Sequence, residues 1–201
     1  MKIYHKIFII IGFLTLTYCT NSNAENLEIK IVAFESVDSE YVQFIENEIS
    51  TGFKLDTIQI INQKLPEIAY YKPRNRYRAD KLISYLKNEY SADKIIGLTN
   101  RDISTTSGKY EDWGIMGLAY RPGKSCVIST FRTFRGAKSE HHKRERLKKV
   151  VFHEFGHTLG LPHCEKDNTC LMRDANGKVA KVDETSDFCS HCKAQIQQYL
   201  N

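Results

Sequence analysis

Most of the chemistry in this 201-residue sequence is concentrated in one stretch, HEFGHTLGLPHCEKDNTCLM, from His153 to Met172. His153 and His157 lie four residues apart, so on a helix both imidazoles project from one face and can reach the same metal ion. Glu154 stands beside them and is not needed as a ligand. Zinc makes bound water acidic near neutral pH, and a neighbouring carboxylate can take its proton during attack on a carbonyl. We therefore predict a hydrolytic zinc site with Glu154 as general base.

The residues after this pair supply a third metal ligand. Gly160 can adopt a left-handed conformation, which turns the chain sharply and returns His163 to the same ion. Three neutral imidazoles leave a fourth coordination position open, which is the arrangement of a catalytic zinc. With seven histidines in the chain, the complete pattern is expected by chance on the order of once in tens of thousands of such chains. The spacing therefore predicts a catalytic zinc held by His153, His157 and His163.

Four cysteines follow at spacings typical of a structural metal site. Cys164 comes directly after the third histidine, Cys170 follows after five residues, and Cys189 and Cys192 form a C-x-x-C pair. Four thiolates fit a closed tetrahedral zinc, which we favour and which gives two zinc ions per chain. Two disulfides among the same residues are the alternative, because the N-terminal sequence predicts export. Cys126, in the apolar stretch CVIST, is interpreted as a small buried residue.

The first 24 residues have the order of a secretory signal. The basic stretch MKIYHK precedes an apolar run and a polar segment that ends in the small residues Ser22 and Ala24. Because the apolar run is too short to span a bilayer, we predict a signal peptide over 1–24 and an exported protein, periplasmic or secreted. Cys19 leaves an alternative, a lipoprotein signal whose cysteine carries a lipid anchor. That anchor would be the only membrane contact.

The remaining residues, 25–201, suit a single domain whose elements follow from the period of the apolar residues. LEIKIVAFES, DTIQIINQKLP and KIIGLT are typical of strands, and SEYVQFIENEIS and RYRADKLISYLKNEYS are typical of the helices between them. This order predicts an α/β (α+β) fold with a small mixed, twisted sheet. IMGLAYRPGKSCVISTF predicts a hairpin that supplies an antiparallel edge strand. KRERLKKVVFHEFGHTLG predicts the active-site helix, ending at Gly160.

Charge and composition argue against a protein that binds nucleic acid or another polyanion. The formal net charge is +5 and falls to +3 if Lys2 and Lys6 leave with the signal, which is too mild to predict nucleic-acid binding. The one basic concentration runs from Arg132 to Lys149, and no stacking aromatic residues interleave with its charges from Lys138 onward. We interpret it as a solvated loop and helix face rather than a polyanion site. A composition of 41% hydrophobic and 26% charged residues is ordinary for a globular protein, and we expect a monomer.

Together the motifs H-E-x-x-H-x-x-G-x-x-H-C, C-x-M and C-x-x-C resemble the archaemetzincins; they span His153 to Cys164, Cys170 to Met172 and Cys189 to Cys192. The similarity extends upstream through RYRADKLISYL, KIIGLTNRDIST and IMGLAYRPGKSCVIST. It implies a compact metzincin-type zinc metallopeptidase with a C-terminal four-cysteine zinc subdomain. Met172 would lie in a turn below the histidines, and a plain core methionine is the alternative. The family pattern has four residues between the first two cysteines, whereas EKDNT supplies five here.

A peptide or protein substrate is expected to pair with the sheet edge above the cleft, as in metzincins. The candidate edge residues are Gly117, Leu118, Ala119 and Tyr120. Trp113 and Tyr120 are candidates either for the wall of the cleft or for the core. A rival interpretation is a non-catalytic zinc-binding module that holds a partner protein, but it leaves Glu154 without a purpose.

Overall fold

The computed structural model describes residues 27–34, 37–55 and 58–200, so the predicted signal peptide with Cys19 lies outside the described residues. The strands are β1 (Ile29–Phe34), β2 (Ile58–Gln63), β3 (Tyr70–Tyr71), β4 (Arg76–Arg78), β5 (Lys94–Thr99), β6 (Ile103–Ser107), β7 (Tyr110–Ile115), β8 (Gly117–Ala119) and β9 (Ser125–Ser129). The helices are α1 (Ser39–Phe53), α2 (Ala79–Glu89), α3 (Thr130–Thr133), α4 (Glu140–Thr158), α5 (Val179–Glu184) and α6 (Ser190–Leu200). Within these ranges, no helix is both long enough and apolar enough to cross a membrane.

The central sheet has five strands in the order β2-β1-β5-β9-β8. The first four run parallel, and β8 pairs antiparallel with β9. β5 and β9 are buried along their whole length, as expected for parallel strands covered on both faces. The predicted mixed sheet with an antiparallel edge strand is confirmed, and β8 and β9 form the predicted hairpin.

Helices cover both faces of this sheet because successive side chains of a strand point to opposite sides. From β1, Ile29 and Ile31 pack into the core formed with α1 and α4, whereas Val32 and Phe34 pack with α2. Each large apolar side chain that is fully buried contributes about 1.5–3 kcal/mol. On α4 the fully buried anchors are Leu147, Val151 and Phe155. The helix that carries the histidines is therefore fixed against the sheet along its length.

A second sheet, in the order β3-β4-β6-β7, was not predicted. Its strands are short and largely polar, so they lack the apolar alternation by which the other strands were recognised. The sequence interpretation was wrong at 76–78, which was assigned to a helix and forms β4. Tyr77 N donates to Asp102 O at the start of β6, and Arg76 pairs with Asp102, so long-range contacts override the local helical pattern. Helix α2 begins at Ala79.

The basic run from Arg132 to Lys149 is only in part a solvated face. Arg146 is buried and pairs through two nitrogens with Asp183 at 2.7 Å. Arg132 pairs with Asp102, and its side chain is only 20% exposed. The interpretation of the run as a solvated surface is therefore wrong for these two arginines, because each has a carboxylate partner supplied by a distant part of the chain.

Candidate zinc and catalytic site

The C-terminus of α4 reverses the chain at Gly160. Leu161 N donates to Gly156 O at 3.1 Å and Gly160 N donates to His157 O at 2.9 Å, while Gly160 has a φ of +98°. These two bonds form a glycine cap of the Schellman type, which satisfies carbonyls that the helix leaves unpaired. The reversal predicted for Gly160 is present, and it brings His163 back to the helix.

The structure brings the three predicted histidine ligands together. The ring centroids are 4.6 Å apart for His153 and His157, 5.3 Å for His153 and His163, and 4.9 Å for His157 and His163. One nitrogen of each ring lies within 4.8 Å of the others, and the Nε2 atoms of His153 and His157 are 3.1 Å apart. A tetrahedral zinc with bonds of about 2.0–2.1 Å needs nitrogens about 3.3 Å apart. The donor set therefore fits zinc in both chemistry and spacing.

Two of the rings are oriented by backbone carbonyls. His153 Nδ1 lies 2.8 Å from Leu171 O and His157 Nδ1 lies 2.7 Å from Leu161 O. If each Nδ1 carries the proton and donates, the lone pair of each Nε2 is free for a metal. Burial, and next the neighbouring charge of His157, lowers the pKa of His153 to about 4, and burial also lowers the pKa of His157. Both rings are therefore neutral at pH 7, the form that binds metal.

Glu154 is buried next to these ligands, against the backbone of β8. A Cβ added to Gly117 would lie 2.6 Å from Glu154 Cγ and 2.7 Å from its Oε1, so the carboxylate occupies space that only a glycine leaves open. Burial raises the pKa of Glu154 to about 8. A cation held by the adjacent histidines would favour the charged form of the carboxylate.

Met172 lies directly beneath α4, where the predicted methionine turn would place it. It is fully buried, and a Cβ added to Gly156 would lie 2.7 Å from its sulfur. The backbone around it is tied to both metal-binding segments. Met172 O accepts from Cys164 N at 2.9 Å, and the preceding carbonyl, that of Leu171, contacts the ring of His153.

The four predicted cysteine ligands also meet. The Sγ atoms of Cys164 and Cys189 are 3.7 Å apart, as are those of Cys170 and Cys192, and all four sulfurs lie within 4.8 Å of one another. A disulfide needs about 2.05 Å, whereas a tetrahedral zinc with bonds of about 2.3 Å needs sulfurs about 3.8 Å apart. Cys126 is buried in β9, as predicted.

The thiols differ in how readily they ionise. A backbone hydrogen bond from Cys192 lowers the pKa of Cys189 to about 7, whereas burial raises the pKa of Cys170 and of Cys192. Of these three thiols, Cys189 is therefore the one that most readily supplies a thiolate, the form that binds metal.

The fifth residue of the EKDNT segment is accommodated in a local turn. Asp167 Oδ1 accepts from Thr169 N at 2.7 Å, and Cys170 N donates to Asp167 O at 3.2 Å. An aspartate that bonds the backbone two residues later forms a compact turn of its own. Cys164 and Cys170 therefore reach the same cluster despite the extra residue.

The histidines and Glu154 border a cleft of about 300 Å³. Three of the four predicted edge residues line it, Gly117, Leu118 and Ala119, whereas Tyr120 is not among its lining residues and is half exposed. Trp113 is 42% exposed and packs beside Gly177, so it belongs neither to the core nor to the lining of the cleft.

Sequence reasoning missed several residues of this cleft. They are Ile115, Met116, Lys149, Val150, Leu171, residues 173–177, Val182 and Thr185. These residues come from four separate segments, and no local spacing marks them as neighbours.

A sequence model of Peptidase family M54 matches residues 13–198 of the chain. The chain belongs to this family, the archaemetzincins. Among its relatives, the archaemetzincin of Halobacterium salinarum is 29% identical over 178 residues, which cover 85% of this chain and 99% of the relative. That of Methanopyrus kandleri is 30% identical over 178 residues, covering 87% and 98%. The resemblance inferred from the motifs is confirmed.

Solved structures of the family have the same fold. The crystal structure of the Methanopyrus kandleri archaemetzincin superposes with a TM-score of 0.72 at 30% identity, covering 87% of this chain and 95% of that one. The structure from Archaeoglobus fulgidus gives 0.71 at 27% identity, covering 83% and 99%. As a member of the family, this chain is a zinc metallopeptidase, with a three-histidine cluster and a C-terminal four-cysteine cluster that suit zinc.

Proposed function

We propose that this M54 family member hydrolyses peptide bonds with Glu154 as the general base and with a zinc ion on His153, His157 and His163. Zinc bound there supplies a Lewis acid that acidifies water and polarises the carbonyl to be cleaved. The single observation that carries the proposal is the burial of the Glu154 carboxylate in the cleft, beside the three convergent imidazoles and against β8.

Glu154 then performs both proton transfers. As a carboxylate it accepts a proton from the attacking water, and as an acid it donates a proton to the leaving nitrogen. Its position is restricted, because its side chain projects from α4 and lies against the backbone at Gly117. His153 and His157 cannot take this role, since their outer nitrogens already contact the carbonyls of Leu171 and Leu161.

The substrate is proposed to bind in an extended conformation along β8. In the part of the chain that is described, β8 pairs only with β9, so its other edge is open to main-chain hydrogen bonds from a peptide. Beside this edge, Met116, Val150, Leu171 and Val182 line the cleft next to Glu154. This wall fits an apolar side chain of the substrate near the bond that is cleaved.

Replacement of Glu154 by Gln tests the base. The amide keeps the size of the side chain but cannot accept the proton, so we expect zinc content to be retained and cleavage of a peptide library to fall by about 10²- to 10⁴-fold. Glu89→Gln, on the exposed end of α2, is the matched control and should retain full activity. Activity in the Glu154→Gln protein within threefold of wild type would remove Glu154 from the mechanism.

We further propose two zinc ions per chain, the second on Cys164, Cys170, Cys189 and Cys192. The sulfur separations of 3.7 Å support a metal cluster rather than disulfides. Metal analysis of the purified protein should give two zinc ions per chain, and the four thiols should react with a thiol reagent only after denaturation with a chelator. One zinc ion per chain, with Cys126 as the one thiol of the five described cysteines that reacts after denaturation, would show that the other four form disulfides instead.

The chain is also proposed to be exported, with 1–24 as its signal. Fractionation of cells that produce the full chain should place the processed protein outside the cytoplasm, and N-terminal sequencing should locate the cut. If the cysteine of the signal carries a lipid, fatty-acid labelling should disappear in Cys19→Ser. An unprocessed chain in the cytoplasm would refute export.

A further inference from the structure

Residues 173–177 follow the methionine turn and line the cleft close to the third histidine. Within this segment, Asp174 Oδ2 lies 3.9 Å from His163 Nδ1. That separation is within the range of an ion pair and longer than a direct hydrogen bond, so a small rotation of the ring or one water molecule would close it. The carboxylate therefore faces Nδ1 of His163. In the other two rings, Nδ1 is the nitrogen that contacts a backbone carbonyl.

His163 needs such a partner more than the other ligands do. His153 and His157 are held in the helix, and each Nδ1 is within 2.8 Å of a backbone carbonyl. His163 comes from the loop after the helix, and its side chain is 47% exposed. Its ring is less confined by packing, so its orientation depends more on the group that contacts its outer nitrogen.

Asp174 is held in place by its own turn. Its Oδ1 accepts a hydrogen bond from Asn176 N at 2.7 Å, which leaves Oδ2 to face His163. Asn176 has a φ of 49° and Gly177 a φ of +70°, the left-handed values that let the chain bend tightly here. Gly177 in turn lies against Trp113, since a Cβ added to Gly177 would be 3.4 Å from the indole nitrogen. The carboxylate is therefore set by a supported turn rather than by a freely rotating side chain.

We propose that Asp174 is a positioning residue for the catalytic zinc, which accepts the N–H of His163 Nδ1 and so presents Nε2 to the ion. The inference rests on the proposed three-histidine site. A carboxylate partner fixes the tautomer and orientation of a ligand histidine and makes it a stronger donor. Loss of such a partner generally lowers metal affinity by 10- to 100-fold, and because Asp174 is half exposed we expect the lower end of this range.

The test compares Asp174→Asn with Asp38→Asn and His163→Ala. Asparagine keeps the oxygen that accepts from Asn176 but removes the charge; Asp38 caps α1 through a comparable bond to Glu40 N and is the matched control. Zinc affinity is measured on the full chain by competition with a chromophoric chelator, and the catalytic site is also examined by the visible spectrum of bound Co²⁺. We expect about tenfold weaker zinc binding and a changed Co²⁺ spectrum in Asp174→Asn, and no change in Asp38→Asn.

Emission from Trp113, the one tryptophan in the sequence, shows whether the supporting turn is intact in the variant. If Asp174→Asn shifts this emission, Asp174→Ser, which also offers a turn acceptor, decides the matter and must show the same loss of affinity. If Asp174→Asn binds zinc within twofold of wild type and has an unchanged Co²⁺ spectrum, while His163→Ala binds zinc weakly, the role of Asp174 is overturned and the three-histidine site is not. Unchanged affinity in His163→Ala would overturn the three-histidine site itself.

Discussion

Gly117→Ala should separate catalysis from folding in this protein. Gly117 begins β8 and pairs with Ile128 of β9, and the adjoining Met116 O accepts from Ser129 N at 2.8 Å. A Cβ at this position would be 2.6 Å from Glu154 Cγ, closer than real contacts allow, so one of the two must move. The strand is held by its ladder, whereas the glutamate is a side chain with rotatable bonds. We therefore expect the carboxylate to move and the strand to stay.

The losses of stability and of rate in Gly117→Ala depend on whether β8 or the side chain of Glu154 moves. Overpacking that cannot relax costs about 1–3 kcal/mol, but a side chain that rotates away relieves most of it, so the free energy of unfolding should fall by less than about 1 kcal/mol. A catalytic group displaced by about 1 Å costs on the order of 100-fold in rate. The same movement therefore changes the free energy of unfolding little but strongly slows proton transfer. We expect kcat/KM to fall about 100-fold with zinc content unchanged.

A double-mutant cycle in a fluorogenic peptide assay identifies the cause. If Gly117→Ala acts by displacing Glu154, it should have little further effect in the Glu154→Gln background, because the group that it displaces is already inactive. Urea denaturation measures the accompanying change in stability. Activity of Gly117→Ala within threefold of wild type would refute the reasoning, as would an effect of the same size in both backgrounds.

Three further predictions concern the supports of the site. Gly160→Ala, at a φ of +98°, should lower the free energy of unfolding by about 1–2 kcal/mol and weaken zinc binding measured by chelator competition; unchanged values would show that the cap is not required. Gly156→Ala would put a Cβ 2.7 Å from the sulfur of Met172 and should lower the free energy of unfolding, measured by urea denaturation, by about 1–3 kcal/mol. If the clash with Met172 is the cause, the double variant Gly156→Ala, Met172→Ala should be no less stable than Met172→Ala alone. The Arg146 guanidinium holds the pKa of Asp183 well below its ordinary value, so the pair stabilises the fold above about pH 4 and loses this contribution as the pH falls further. The difference in unfolding free energy between wild type and Asp183→Asn should therefore shrink between pH 5 and pH 3, and a constant difference would contradict the assignment.

The convergence of the three candidate histidine ligands could be predicted because their geometry is local. Two histidines one helical turn apart share a face whatever the rest of the fold does, and the glycine cap after them depends on only a few residues. The same is true of the strands of the central sheet that were predicted from the period of their apolar residues, among them Lys94–Thr99, which is buried along its whole length. In each case the signal and the structure cover the same short range of sequence.

The surroundings of the site could not be predicted because they depend on tertiary contacts. Gly117 precedes Glu154 by 37 residues, and nothing in either segment indicates that the carboxylate needs the space left by the missing side chain. Arg146 has the sequence context of a solvated helix, yet it is buried because Asp183 arrives from a later helix to pair with it. Asp174 likewise comes within 3.9 Å of His163 only because the methionine turn folds the chain back, and the local sequence does not indicate this contact.

The three-histidine and four-cysteine clusters are connected through the backbone, so a metal on the cysteines would influence the histidines without contact with a substrate. Cys164 is bonded to its neighbour His163, and Cys170 stands one residue before Leu171, whose carbonyl contacts His153. The bond from Cys164 N to Met172 O joins these two segments across the loop. Four sulfurs gathered on one ion would therefore restrain two of the three histidines at once, one through the peptide chain and one through a carbonyl. Under the two-zinc proposal, a metal on the cysteines would reduce the conformational freedom that His153 and His163 lose when they bind their own ion, and so would pre-organise the histidine site.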